Sequence, residues 1–322
     1  MGLDLAFSDE RLEKALWALT DDAEATPALE LIAGIDDIHE RERAVSVLGA
    51  GGVRQLEPLR ELARQQAYRR ERWLLLGASL AAAAWEVRDP GASDKATYQQ
   101  TMQQQALVAE ARSALRHAAA LGRDDPVPWS ELAGVVIGAP LHATEAADVF
   151  KRAATIAPDL YLAHARRLTG LTRRWYGTPD YFLAFARTRV EGRPDGHPLH
   201  ALVALAHIEG CVDGLLRGNV LGRFWRAWRY FGDPEVRHET DAAADRLLAG
   251  DGEYRSHPWA MPAHQAFAAL YHQAGDAERT RAHLELAGDR PAVWPWRYFG
   301  DPGKLFAAAR KSAGLQNLVT GC

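Results

Sequence analysis

The chain has 322 residues, 48% of them hydrophobic, with 38 basic and 42 acidic side chains for a net charge of -4. It is longer than one hydrophobic core usually grows, so two globular domains or one quasi-linear array are the natural outcomes. The balanced charge offers no long-range field to nucleic acid or anionic lipid, and two distant cysteines, Cys211 and Cys322, make neither a disulfide framework nor a zinc-ribbon spacing.

Periodicity is helical nearly everywhere, with no alternating strand and no Asn-Gly hairpin signal. Met1 to Leu5 has no basic stretch before an apolar one, so no secretory signal is expected. The longest apolar run, Trp73 to Trp85, is too short to span a bilayer. A cytoplasmic location and no membrane partner are therefore expected. Ser8 reads as an N-cap with Asp9 and Glu10 in the first turn, and Leu12, Leu16 and Leu19 share a face. Gly49 to Gly52 reads as a helix end, and Pro58 as the opening of the next helix, with Leu59, Leu62, Ala63 and Ala67 inward. Arg69, Arg70 and Arg72 beside Glu71, like Arg166 and Arg167 with Arg173 and Arg174, read as solvated or ion-paired faces.

From Trp73 the pattern sharpens. Trp73, Leu76, Gly77 and Leu80 form one stripe, and after a polar break at 89–94 a second helix carries Ala111, Leu115 and Ala118. The small Gly77 and Ala111 would let two antiparallel helices approach closely. Trp129, Leu132, Ala133 and Val136 then precede Ala146, Phe150, Ala153 and a closing Pro158, and Tyr271, Gly275, Leu284 and Ala287 repeat the logic around a turn at 274–276. These spacings resemble the tetratricopeptide repeat of about 34 residues. The match is fullest in Trp73, Leu76, Gly77 and Leu80 for a first helix and in Ala146, Phe150, Ala153 and Pro158 for a second. Thr280 stands where Ala is usual, and Arg167 where Leu is expected. Trp175-Tyr176-Gly177 and Phe185-Ala186-Arg187 are also similar to uncharacterised actinobacterial helical-repeat proteins, and the Ala, Arg and Gly usage fits a GC-rich bacterium.

The resemblance implies an all-α fold of stacked antiparallel helical hairpins, a tetratricopeptide-like α-solenoid that is either open or closed into a compact, irregular form. Residues 1–70 are expected as an N-terminal helical cap, and 71–322 as roughly five to seven irregular hairpins.

One string is repeated without change. Trp228-Arg-Tyr-Phe-Gly-Asp-Pro234 returns as Trp296-Arg-Tyr-Phe-Gly-Asp-Pro302, at an offset of 68 residues, twice the repeat length. Gly232 and Gly300 suit helix C-termini, Asp233 and Asp301 suit N-caps, and Pro234 and Pro302 suit first turns. Trp228, Arg229, Trp296 and Arg297 exceed what a corner needs and are of the types that dominate interfaces.

Chemical motifs are sparse. No nucleophile elbow, phosphate loop or dinucleotide fingerprint is present, so no catalytic residue, metal or other cofactor is expected. His200 and His207 share a helical face, with Glu209 on another, while Glu235-x-x-His238 is half of a di-iron pattern without its partner. His257, His264 and His272 fall at near-helical spacings. The leading expectation is a protein-interaction module. The first helices of the resembling repeats would place Arg173, Gln265, His272 and Gln273 in a concave groove. With Arg229 and Arg297 these would hold an acidic or carboxylate-ended segment of a partner protein or peptide. The alternative is an enzyme or enzyme accessory with a helical pocket around His200, His207 and the aromatic corners.

Overall fold

Acidic side chains start several of the helices. In the computed structural model, Asp9, Asp37, Asp233, Asp276 and Asp301 each accept hydrogen bonds from backbone N–H groups of the first turn behind them, and Thr97 with Gln100 forms a capping box. The structure describes residues 9–88, 97–137, 143–175, 177–215, 223–250 and 252–315. Among these the chain is all-α, with no strand and no helix long and apolar enough to cross a membrane.

The described residues divide into two units, up to Arg167 and from Leu168 on. In the first, α1 (Glu10–Thr20), α2 (Thr26–Gly34), α3 (Ile38–Gly51) and α4 (Leu56–Gln65) precede α5 (Arg70–Arg88), α6 (Tyr98–Leu121), α7 (Val127–Ile137) and α8 (Ala143–Ile156). Helix α5 is the centre, packed against α2, α3, α4, α6 and α7, and most of Leu74 to Ala84 is buried. A helix apolar on nearly all sides belongs in such a position. The closeness depends on small residues: a Cβ on Gly77 would stand 2.6 Å from Leu115 of α6, and one on Gly49 2.6 Å from Ala78. The expected close approach of α5 and α6 is thus present at Gly77, and Ala111 is fully buried. The position between residues 70 and 71 falls at the start of α5, inside this unit.

The division falls within α9 (Tyr161–Gly170). The second unit continues with α10 (Pro179–Val190), α11 (Ala201–Leu215), α12 (Arg223–Phe231), α13 (Pro234–Leu248), α14 (Gly252–Arg255), α15 (Ala260–Ala274), α16 (Ala277–Leu284) and α17 (Pro302–Ser312). Helix α11 packs against α10, α12, α13 and α15, and α15 packs against α12, α16 and α17.

Two local expectations change. Ser8 lies outside the described residues, and Asp9 is the cap, accepting from Arg11 N at 3.0 Å and Leu12 N at 3.3 Å. Gly49 to Gly52 end α3 as expected, with Gly51 its last residue and Gly52 its cap, before a 3-10 turn; the contact with Ala78 requires glycine at 49. Pro58 is the third residue of α4, two positions later than an opening proline but still in the first turn, where no intrahelical N–H is needed. The hairpin turn at 274–276 is as expected: Gly275 ends α15 at φ 76° and Asp276 caps α16. The polar break at 89–94 and Cys322 lie outside the described residues.

Candidate functional site

The two copies of the repeated string meet. Phe231 and Phe299 are in edge contact at 6.2 Å, and each copy sends its tyrosine to a different buried polar residue of α11. Tyr230 lies 3.1 Å from Nδ1 of His207, and the Tyr298 hydroxyl donates to Glu209 at 2.5 Å. His207 and Glu209 point to different sides of α11, as their spacing requires.

Around His207, Nε2 lies 3.1 Å from Glu239, which receives two parallel bonds of 2.7 Å from Arg187. Arg187, with His207, holds the Glu239 carboxyl down at about 2 against its partial burial. Burial raises the Tyr230 phenol and pushes the nearby Cys211 thiol up to about 12. Tyrosine, histidine and glutamate in series are the right types for proton transfer. However, His207 is only 2% exposed and both ring nitrogens are engaged, which is the pattern of a satisfied core group.

Glu209 is likewise buried. It accepts from Thr169 at 3.0 Å and from Arg174, whose guanidinium also reaches Asp213 at 3.0 Å and lies 5.6 Å over the Tyr298 ring. Burial raises the Tyr298 phenol, with Arg174 opposing. Arg174 is therefore an ion-paired residue, and its contact with Tyr298 brings the segments carrying Arg173 and Arg297 side by side.

The corner reading of the repeated string holds in most of its parts. Asp233 accepts from Glu235 N at 2.9 Å, Asp301 accepts from Lys304 N at 2.8 Å, and Pro234 and Pro302 occupy first turns. The glycines differ, with Gly300 at φ 153° and Gly232 without a positive φ. The tryptophans differ most. Trp296 is fully buried and donates to Gln265 at 3.0 Å, whereas Trp228 is 54% exposed.

Gln265 does not face a groove. It is fully buried, and its amide bonds the Ala287 and Arg290 carbonyls while its oxygen accepts from Ala292 N and Trp296 Nε1. It pins the 287–296 loop onto α15, so Gln265 and Trp296 are corrected from binding residues to core. Gln265→Ala is expected to destabilise the chain by about 2–4 kcal/mol, because it orphans two buried donors. Urea unfolding measures this, and a loss under 1 kcal/mol would contradict the assignment.

The remaining expected residues lie nearer the surface. Arg173, Arg229 and Arg297 are exposed, while His272 and Gln273 are half-buried, with His272 3.4 Å from the Ser312 hydroxyl. His200 bonds the Pro194 carbonyl at 2.9 Å and shares no partner with His207. His264 pairs with His283 at 3.0 Å, and His257 accepts from Trp259 N, so the three spaced histidines do not converge. Glu235 and His238 are both exposed. Among the described residues no group of three His, Cys, Asp or Glu side chains is placed to hold a metal ion.

Sequence reading missed the partners of α11, namely Arg174, Arg187, Tyr230, Glu239 and Tyr298. The one signal was the duplicated tyrosine. No protein-family model, curated protein or solved structure matches the chain. The functional reading therefore rests on the geometry.

Proposed function

We propose that the chain is a protein-interaction module, a stacked-hairpin array of tetratricopeptide type. It would bind an acidic or carboxylate-ended segment of a cytoplasmic partner. The observation that supports this reading is the division of labour within the repeated string. Phenylalanine, tyrosine, aspartate and proline build the corner, while Trp228, Arg229 and Arg297 stay at the surface. Exposed tryptophan and arginine are the side chains that most often dominate binding energy. Arg173 adds a further exposed guanidinium beside the segment that carries Arg297. Planar guanidinium groups match carboxylates in two-pronged geometry, which suits an acidic partner.

The test is capture from source-organism lysate with the full chain as bait, beside a variant carrying Arg173→Glu, Trp228→Ala, Arg229→Glu and Arg297→Glu. All four positions are exposed, so circular dichroism should be unchanged. The expected result is a protein retained by the parent chain and reduced at least tenfold by the variant. Equal retention by both would remove this surface from consideration, and a parent chain that retains nothing specific would overturn the module reading.

A further inference from the structure

Helix α6 begins in a stretch without charge. Residues 97–109 hold five glutamines and no Asp, Glu, Lys, Arg or His, in a chain that is 25% charged. Val108, Ala111 and Leu115 form the buried side, and Leu115 packs on α5 at Gly77. Tyr98, Met102, Gln105 and Ala109 follow one another at spacings of four, three and four, so they form one stripe, and all four are exposed. Tyr98 is 81% exposed and Met102 49%. Gln99, Gln103 and Ala106 lie beside the stripe and are exposed too. Among the described residues Gln99, Gln103 and Gln105 have no hydrogen-bond partner. The next charges along the helix turn to partners within the chain, Glu110 to Arg60 at 2.6 Å and Arg112 to Glu145.

Neutrality selects the occupant. An acidic or basic peptide would find no countercharge on this face, and an anionic lipid surface would find no cation. A second copy of the same face is different. In a twofold contact each surface meets its own image, so a charge near the axis meets a like charge, and a neutral face avoids that repulsion. Glutamine carries donor and acceptor on one amide, so a face of glutamines is complementary to itself. Side-chain size then favours one orientation. With two α6 helices antiparallel and the axis between positions 103 and 104, Tyr98 faces Ala109 of the second copy, large against small, and Met102 faces its Gln105. A parallel pair would set tyrosine on tyrosine and leave a gap at the alanines.

We propose that two copies of this chain pair through residues 98–109 of α6 in an antiparallel, twofold contact. The contact covers about 18 Å of helix, at the small end of protein interfaces, so a dissociation constant on the order of 10–100 µM is expected. It uses none of the residues of the Trp228 and Arg229 surface and does not depend on the interaction-module reading.

Sedimentation velocity of the full chain under reducing conditions tests this. From about 1 to 200 µM the parent chain should pass from monomer toward dimer. Met102→Glu with Gln105→Glu should weaken the dimer at least tenfold, and so should Met102→Lys with Gln105→Lys. An equimolar mixture of these two variants should dimerise again, because position 102 of one copy faces 105 of the other. Both positions are exposed and Glu and Lys are good helix formers, so circular dichroism should be unchanged. The variant carrying Arg173→Glu, Trp228→Ala, Arg229→Glu and Arg297→Glu should dimerise like the parent. A parent chain monomeric throughout, charge variants that dimerise like the parent, or a mixture that stays monomeric would each overturn the proposal. So would a monomeric parent that captures a lysate protein which both charge variants lose, because the face would then belong to another partner. Loss of the dimer in the Trp228-surface variant alone would move the contact to that surface and overturn it as well.

Discussion

Replacing Glu42 with alanine should destabilise the unit of residues up to Arg167 by about 3 kcal/mol. Glu42 sits on α3, is fully buried, and accepts from three donors: the Ser130 hydroxyl at 2.5 Å and the N–H groups of Leu162 and Ala163 at 3.1 Å. The last two belong to the first turn of α9, whose N–H groups have no partner within the helix. Glu42 therefore caps α9 from another helix and ties it to α7 through Ser130. Arg166, one turn further along α9, bonds the Ser130 carbonyl at 2.7 Å and Glu131 at 2.8 Å, so both ends of the clasp close on the same stretch of α7. Alanine leaves three donors in the interior with nothing to accept them. Hydrogen exchange followed by mass spectrometry at pH 6 should show protection in α3, α7 and α9 falling about a hundredfold. Glu42→Gln keeps the volume and one acceptor oxygen, so its loss should be smaller. Protection unchanged within threefold in the alanine variant would sink the assignment.

Glu42 also shows what a sequence conceals. The segment Ile38-His-Glu-Arg-Glu-Arg43 looks like a solvated, charge-rich turn of helix, yet Arg41, Glu42 and Arg43 are all buried. Arg43 bonds Asp9 at 2.8 Å, and Arg41 lies 3.5 Å from Asp125. Their partners are 34 to 121 positions away, beyond any local pattern. What depends on nearest neighbours was legible: apolar spacing in α5 and α6, the turn at Gly275 and Asp276, and the aspartate caps of the repeated string. Burial depends on what folds over a face. The position of Gln265 on α15, which the repeat resemblance assigned to a groove, is covered by the 287–296 loop, and Gln265 holds that loop in place. Arg166 and Arg174 resembled Arg173 in sequence, but buried Glu131 and Glu209 draw the first two inward and leave Arg173 exposed.

The two units should respond to pH in opposite directions between about pH 5 and 7. In the second, His264 is held down at about 4, by burial first and then by Arg255. His283 is well below its ordinary value, by burial, then by His264 and Arg279. Both bind protons more readily unfolded than folded, so the stability they contribute is full above about 6.5 and is lost as pH falls toward 4. The His264 shift alone is worth about 3 kcal/mol across that window. His200 and His272, also lowered by burial, act in the same sense. In the first unit Glu42 is pushed up to about 7 by burial, against the bonds from Ser130 and Leu162 and the charge of Arg166. Its folded form holds the proton more tightly than an unfolded carboxylate of ordinary pKa 4.5, so its contribution is full below about 4.5 and is lost as pH rises to 7. Glu239 and Asp276 in the second unit and Asp9 in the first are all lowered carboxylates, which lose stability only as pH falls through and below the ordinary carboxylate range. Hydrogen exchange corrected for intrinsic rates should therefore show protection in α15 and α16 rising from pH 5 to 7 while protection in α3 and α9 falls. Glu42→Gln should flatten the second slope and leave the first untouched. Parallel slopes in the parent chain would mean that neither buried group governs its unit, because one shared cause, such as net charge, moves both units together.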